Sequence, residues 1–237
     1  MCPLWFLANY TYNASLASTS VTSSTIISNS ASLFTFFFSV AFQSERFGPR
    51  KACGVVLTLA GAVLVGLQDR AQGSGGESVL GDLLALVSAV MYGAYTVVLR
   101  LWVPSDDEVA MPLVLGYMGV AAGVLLAPVL LGLSLGAGAL EGLTGGIVGL
   151  VATKAMLDNV LSDYLWARAV VLTTPTVATT GLSLTIPAAF ATDFLLHGLR
   201  PGALSMVGAV AVIGGFLLVN DGDAGSPSRR GGGGPDA

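Results

Sequence analysis

Long apolar runs separated by short polar stretches dominate this chain. The runs are continuous rather than alternating and reach about 18–25 residues. At about 1.5 Å rise per residue, a helix of that length crosses the hydrocarbon core of a bilayer. Eight spans follow, at 3–18, 20–43, 51–68, 79–101, 110–135, 143–172, 174–198 and 202–220. Barrel strands would alternate apolar and polar positions, and these runs do not. Lipid also forces each span to satisfy its own backbone hydrogen bonds, which selects helices.

The breaks between spans carry turn chemistry. Residues 44–51 are charged and contain Gly48-Pro49, and residues 68–78 form a Gly/Ser loop. Residues 103–108 contain Pro104 and three acids, and residues 133–143 are glycine-rich. Thr174-Pro175 leaves almost no loop between the sixth and seventh spans, which are expected to be antiparallel neighbours. Residues 221–237 are a low-complexity tail, expected to be disordered.

The spans repeat. Residues 9–65 align with residues 163–219 at a constant offset of 154, without a gap. Tyr10 meets Tyr164, Thr25 meets Thr179, Phe36 meets Phe190, Gly54 meets Gly208 and Gly61 meets Gly215. One repeat unit holds five spans, and an odd number inverts the second copy relative to the first. Inverted repeats of this kind point to a transporter that alternates access about a central site. The second copy of the first span begins near Leu143, which maps ahead of Met1. Two further helices are therefore expected before the first span, and the chain reads as shortened at its N-terminus. Residues 1–70 are assigned to the end of the first repeat, with three helices. Residues 79–101 form a fourth helix that starts the linkage, residues 102–220 the second half, and residues 221–237 the tail.

Composition agrees with a membrane protein. Hydrophobic residues make up 54% and charged residues 10% of the chain, and mean hydropathy is +0.79. A soluble domain carries about 25% charged residues. The net charge of −4 comes with no basic stripe, so no nucleic-acid partner is expected. Cys2 and Cys53 make no disulfide framework. With one histidine and two distant cysteines, neither a metal centre nor another cofactor is expected. HExxH, GxSxG, CxxC and Gly-rich phosphate-loop patterns are absent, which argues against an enzyme. The sequons at Asn9 and Asn13 fall inside a span and are expected to be unmodified. The N-terminus lacks the basic region of a signal peptide.

Lys and Arg counts set an orientation. Arg46, Arg50, Lys51, Arg229 and Arg230 lie on one set of loops and the tail, with Arg100 at the edge, against Arg70 and Arg200 on the other. The first set and the C-terminus are assigned to the cytosol.

Trp5-Phe6-Leu7-Ala8-Asn9 with Tyr12, then Ser32-Leu33-Phe34-Thr35, resembles the first-half signature of the solute carrier 35 family, F branch. Leu161-Ser162-Asp163-Tyr164-Leu165-Trp166 and Ser183-Leu184-Thr185-Ile186-Pro187, with Asp193 beyond, resemble its second-half signature. That branch belongs to the drug/metabolite transporter superfamily, beside EamA-type transporters. The resemblance implies ten helices in two inverted repeats of five, cytosolic termini and a central solute site. It also implies an endomembrane home, Golgi or vacuole-like, rather than the plasma membrane. The expected fold is an all-α membrane protein, a polytopic bundle of about eight transmembrane helices left from that ten-helix plan.

Polar residues inside the spans supply the candidate site. Asn9, Thr11, Tyr12, Asn13, Ser15, Thr25, Ser28 and Asn29 crowd the first two spans. For the hydroxyls, a solute cavity and interhelical hydrogen bonding are both open readings. The amides favour a cavity, because a lipid-facing amide is costly. The sixth span carries Lys154, Asp158, Asn159, Asp163 and Arg168 in one long helix. Ionisable groups at depth cost about 3 kcal/mol or more and usually line a pathway. Lys154 and Asp158 stand at i,i+4 and can form a structural pair. Alternatively, Lys154 attracts an anionic solute group. Asp193 follows Pro187, which opens the helix backbone there. His197 sits at a helix end and reads as solvated. The candidate cavity set is Asn9, Asn13, Lys154, Asp158, Asp163 and Asp193.

The glycine pairs Gly119/Gly123, Gly132/Gly136, Gly142/Gly146 and Gly145/Gly149 read as packing within the bundle, with a homodimer only weakly indicated. The expected partners are the bilayer and a small organic solute. A nucleotide-like or other organic anion is favoured for that solute, with a thiamine-like cation as the alternative. A non-transporting scaffold or receptor, or an inactive truncated product, is the competing class.

Overall fold

The computed structural model describes residues 1–19, 21–72, 78–103, 110–137, 144–197 and 202–224; the side chains of Asp158, Asn159, Asp193 and His197 lie outside the described part. Every regular element among these residues is helical. In chain order they are α1 (Cys2–Ser18), α2 (Val21–Asn29), α3 (Ala31–Ala41), α4 (Pro49–Gln72), α5 (Val79–Trp102) and α6 (Met111–Ala137). Then come α7 (Gly145–Lys154), a π-helical segment (Ala155–Leu161), α8 (Ser162–Leu172), α9 (Pro175–Leu182), α10 (Thr185–His197) and α11 (Ala203–Ala224). Joined where they run on, they make the eight expected spans, with ends within four residues of the sequence reading. Six stretches are long and apolar enough to cross a membrane by themselves. Of the other two spans, α1 has 17 residues and the sixth span carries Lys154, Asp163 and Arg168.

Two spans break, the seventh where Pro187 was expected to open the backbone and the second where no break was expected. The second breaks at Ser30, between α2 and α3, and the seventh at Ser183–Leu184, between α9 and α10. Ser30 and Leu184 are related by the 154-residue offset. In the second copy Pro187 explains the break, because it lacks the N–H that would bond to the Ser183 carbonyl. The first copy has Leu33 at that position. There, side chains do the work. Ser30 Oγ donates to the Ile27 carbonyl at 2.5 Å, Asn29 Nδ2 to Thr25 at 2.8 Å and Ser32 Oγ to Asn29 at 3.0 Å. Such bonds compete with the helix ladder and bend it.

The sixth span is not one regular helix either. Its π segment winds more residues per turn, so α7 and α8 do not share the face that an α-helix would give them. The tail also begins later than expected, since α11 continues through Asp221–Ala224.

The most extensive contact joins α4 and α11, the last helix of each copy, which run antiparallel. Glycines set their distance. A Cβ on Gly54 would lie 2.7 Å from the Gly215 carbonyl oxygen, and one on Gly61 2.6 Å from that of Gly208. Gly54 corresponds to Gly208 and Gly61 to Gly215, so the two close approaches are copies of each other. The glycines expected to pack helices do not. A Cβ at Gly116, Gly119, Gly123, Gly132, Gly145, Gly146 or Gly149 would meet nothing within 4 Å, while Gly136 and Gly142 lie outside the described residues or side chains. Apolar side chains cover the exterior, including Phe37, Leu150 and Leu195, at 64%, 75% and 77% exposure. This is the surface a bilayer solvates.

The seam predicts an asymmetry between glycines. Gly54→Ala and Gly61→Ala should each destabilise the purified protein by about 1–3 kcal/mol, the range for overpacking. Gly119→Ala should be neutral or slightly stabilising, since alanine is the better helix former. Thermal unfolding in detergent reads the difference, and equal effects at Gly61 and Gly119 would contradict the seam.

Candidate functional site

The two helix breaks meet. Ser183 Oγ donates to Asn29 Oδ1 at 2.7 Å, and the two residues are 154 apart, so they occupy the same place in the two copies. A bond between equivalent residues lies on the axis that relates the copies. Beside it opens a cavity of about 340 Å³. Its wall is drawn from α1 (Asn9, Tyr12), α2 (Thr25, Ser28, Asn29), α5 (Ser88, Tyr92) and the α9–α10 break (Thr179, Leu182, Thr185). Ser28 Oγ is buried there with no hydrogen-bond partner among the described residues. Among the described residues, the wall holds no formally charged side chain.

A second cavity of about 740 Å³ lies between α1, α5, α6 and the π segment. It is mostly apolar, lined by Trp5, Tyr95, Met118, Met156 and Tyr164, among others. Among the described residues, Asp163 is the one charged residue in its wall. No hydrogen bond or salt bridge to the Asp163 carboxylate occurs among the described residues. An aromatic group borders both cavities. Trp166 stacks on Tyr95 at 5.7 Å between centroids and leans on Tyr92 at 5.3 Å. Tyr92 faces the first cavity and Tyr95 the second.

The six candidate residues do not form one set. Asn9 lines the first cavity, with its amide nitrogen bonded to the Trp5 carbonyl at 2.9 Å. Asp163 lines the second. Asn13 lines neither; it is exposed and donates to the Asn9 carbonyl at 2.8 Å. Lys154 ends α7, is exposed and lines neither cavity. The side chains of Asp158 and Asp193 lie outside the described part, on the π segment and α10.

The crowded hydroxyls divide as well. Ser15 and Ser24 bond to each other at 2.7 Å across α1 and α2, while Thr11 and Ser18 bond to carbonyls of their own helix. Tyr12, Thr25, Ser28 and Asn29 turn to the cavity. Ser88 and Tyr92 escaped the sequence reading. Their i,i+4 spacing, which puts both on one face of α5, is the signal that could have found them.

The bond on the axis is testable by a double-mutant cycle. Asn29→Ala and Ser183→Ala should each lower stability, and the pair should cost less than the sum by about 0.5–1.5 kcal/mol. Unfolding of the four proteins in detergent measures it. Strict additivity would show that the two side chains do not interact.

Comparison with known proteins places this architecture. Residues 4–67 match the EamA-like transporter family. Relatives that align with 92% of this chain are 30–34% identical to it, and the chain spans 42–66% of their length. Two are from Saccharomyces cerevisiae. One is an uncharacterized vacuolar membrane protein, 33% identical, 59% of which is covered. The other is a thiamine-repressible mitochondrial transport protein, 32% identical, 60% of which is covered. Solute carrier family 35 member F5 of Bos taurus is 30% identical, with 42% of it covered. The expected relationship to the solute carrier 35 F branch therefore stands. With its helical spans, its apolar exterior and these matches, the chain is an integral multi-pass membrane protein, similar to EamA-like transporters over residues 4–67 and to solute carrier family 35 member F5 along 92% of its length.

Proposed function

We propose that this chain carries the solute site of a secondary transporter that works by alternating access. One observation carries the reading: both broken helices open onto one polar cavity at the axis between the copies. Breaks expose backbone groups that a continuous helix would hide, and in lipid they are tolerated only where such groups find polar partners. Residues 1–70 then belong to the first repeat and 102–220 to the half containing the second. The C-terminus faces the cytosol, on the Lys and Arg distribution. An internal membrane, Golgi or vacuole-like, fits the vacuolar relative, and the mitochondrial relative is also from an organelle.

The cavities bear on the solute. Lys154, which with the family resemblance favoured an organic anion, lines neither cavity. Among the described residues, the formal charge on these walls is the Asp163 carboxylate, among Trp5, Tyr95 and Tyr164. A carboxylate framed by aromatic rings suits a cation that carries a flat apolar part. The reading therefore moves to the thiamine-like alternative: a small organic cation with an aromatic ring. Its ring would lie against the aromatic group and its polar end at Asn9, Ser28 and Asn29.

Solute-dependent thermal stabilisation in nanodiscs tests this with a panel of aromatic cations, nucleotides and neutral sugars. Aromatic cations should stabilise the protein. Asp163→Asn should weaken that response at least about tenfold, as expected on removing a partly desolvated charge partner, and Lys154→Ala should leave it unchanged. Stabilisation by nucleotides that Lys154→Ala abolishes would restore the anion reading. No response to any member of the panel would favour a scaffold.

A further inference from the structure

One buried ionic cluster lies outside both cavities. Lys51, in the first turn of α4, is 2% exposed. Its Nζ donates to Glu45 Oε2 at 3.0 Å and to Asp223 Oδ1, near the end of α11, at 2.5 Å. Glu45 reaches this place through a tight turn after α3. Gln43 takes a left-handed conformation (φ 56°), and the Glu45 N–H donates to the Ser39 carbonyl at 3.1 Å. The other carboxylate oxygen of Glu45 accepts from the backbone N–H of Thr176 at 2.9 Å, in the first turn of α9. Nearby, the Arg100 guanidinium donates to the Val171 carbonyl at the end of α8. An anion therefore holds the start of α9 and a cation the end of α8, each at the helix pole it favours.

The far end of α9 is the solute cavity. The helix has eight residues, Pro175–Leu182. Thr179 and Leu182 line the cavity, and Ser183 follows with its bond to Asn29. α9 is thus a short strut, with one end on Glu45 and the other on the axis.

The opposite end of the bundle does not repeat this pair. The repeat places Leu199 and Ser205 where Glu45 and Lys51 stand. There Gln68 Oε1 accepts from the Ser205 N–H at 2.9 Å, a neutral bond. Burying an ion pair costs desolvation that its attraction barely repays, so such a pair is a poor device for stability alone. It suits a contact that must open, because water recovers both charges when it does.

We propose that Glu45 and Lys51 form a gate that seals this end of the bundle, and that α9 couples the gate to the solute cavity. The coupling rests on the transport reading above; the seal does not. The gate is ionic at this end, while the other end has the Gln68–Ser205 bond at the matching place.

Thiol accessibility tests it in full-chain protein in nanodiscs, with Cys2→Ser and Cys53→Ser removing the native thiols. Ser44→Cys, at a buried hydroxyl beside Glu45, reports on this end. Thr19→Cys, also buried, reports on the other. Lys51→Met should speed modification of the Ser44→Cys thiol by a water-soluble maleimide about tenfold or more, a population shift toward the open form. The Thr19→Cys thiol should change less than about twofold, and Lys51→Arg should restore slow modification at Ser44→Cys. Asn29→Ala, which frees the cavity end of α9, should speed the Ser44→Cys reaction by about threefold or more. An unchanged Ser44→Cys rate, or equal acceleration at both ends, overturns the gate. No effect of Asn29→Ala overturns the coupling. The assay needs neither solute nor transport. A chain that no solute stabilises, yet shows this pattern at Lys51, loses the transport reading and keeps the seal.

Discussion

The bundle depends on how closely two backbones approach. Where α4 and α11 cross, four glycines leave no room for even one carbon. Lipid tails are as apolar as leucine, so helices in a bilayer associate through close packing rather than through water exclusion. The seam supplies that packing between the last helices of the two copies, and so sets one copy against the other. The meeting of the two breaks follows from it. Asn29 reaches Ser183 because the copies are already related by the axis that the seam defines.

Around the seam, the chain handles polar groups in two ways. Some are closed off: Ser15 against Ser24, and Thr11, Thr35 and Thr58 against carbonyls of their own helices. These bonds hold helices together or quiet a hydroxyl in lipid. Others stay open to a cavity, and these gather at the breaks. The ionic groups form a third class, at the bundle end where α3, α4, α9 and α11 come together. The division puts neutral chemistry at the axis, one carboxylate beside it, and paired charges at the end.

Much of this was legible in the residues. Run length alone located eight spans. The constant offset of 154 relates the two breaks to each other, and it relates the two close approaches of α4 and α11, which the sequence reading did not predict. Pro187 marked its break openly. The matching break at Ser30 could have been found by carrying Pro187 back through the offset to Leu33, within a run of Ser, Asn and Ser that no apolar helix needs. The site was harder. Lys154 drew attention as a charge in an apolar run, but a sequence does not show that a π segment follows it and alters the helix phase. Glycine spacing misled for a related reason. Gly119 and Gly123 have the spacing of a contact, whereas the glycines that touch, seven residues apart on each helix, are distinguished only by their partners in the other copy.

The seam also binds the history of the two copies together. Gly54 lies against Gly215, and Gly215 is the counterpart of Gly61, which lies against Gly208. Each copy is the mould for the other. A side chain gained at any one of these positions must be met by a loss of volume in the opposite copy, so here the halves cannot drift apart independently. Elsewhere they have done so freely: Glu45 against Leu199, Lys51 against Ser205, Asn9 against Asp163. The two halves thus share a surface that must stay the same and ends that are free to differ, which is how one symmetric frame comes to have two unlike faces.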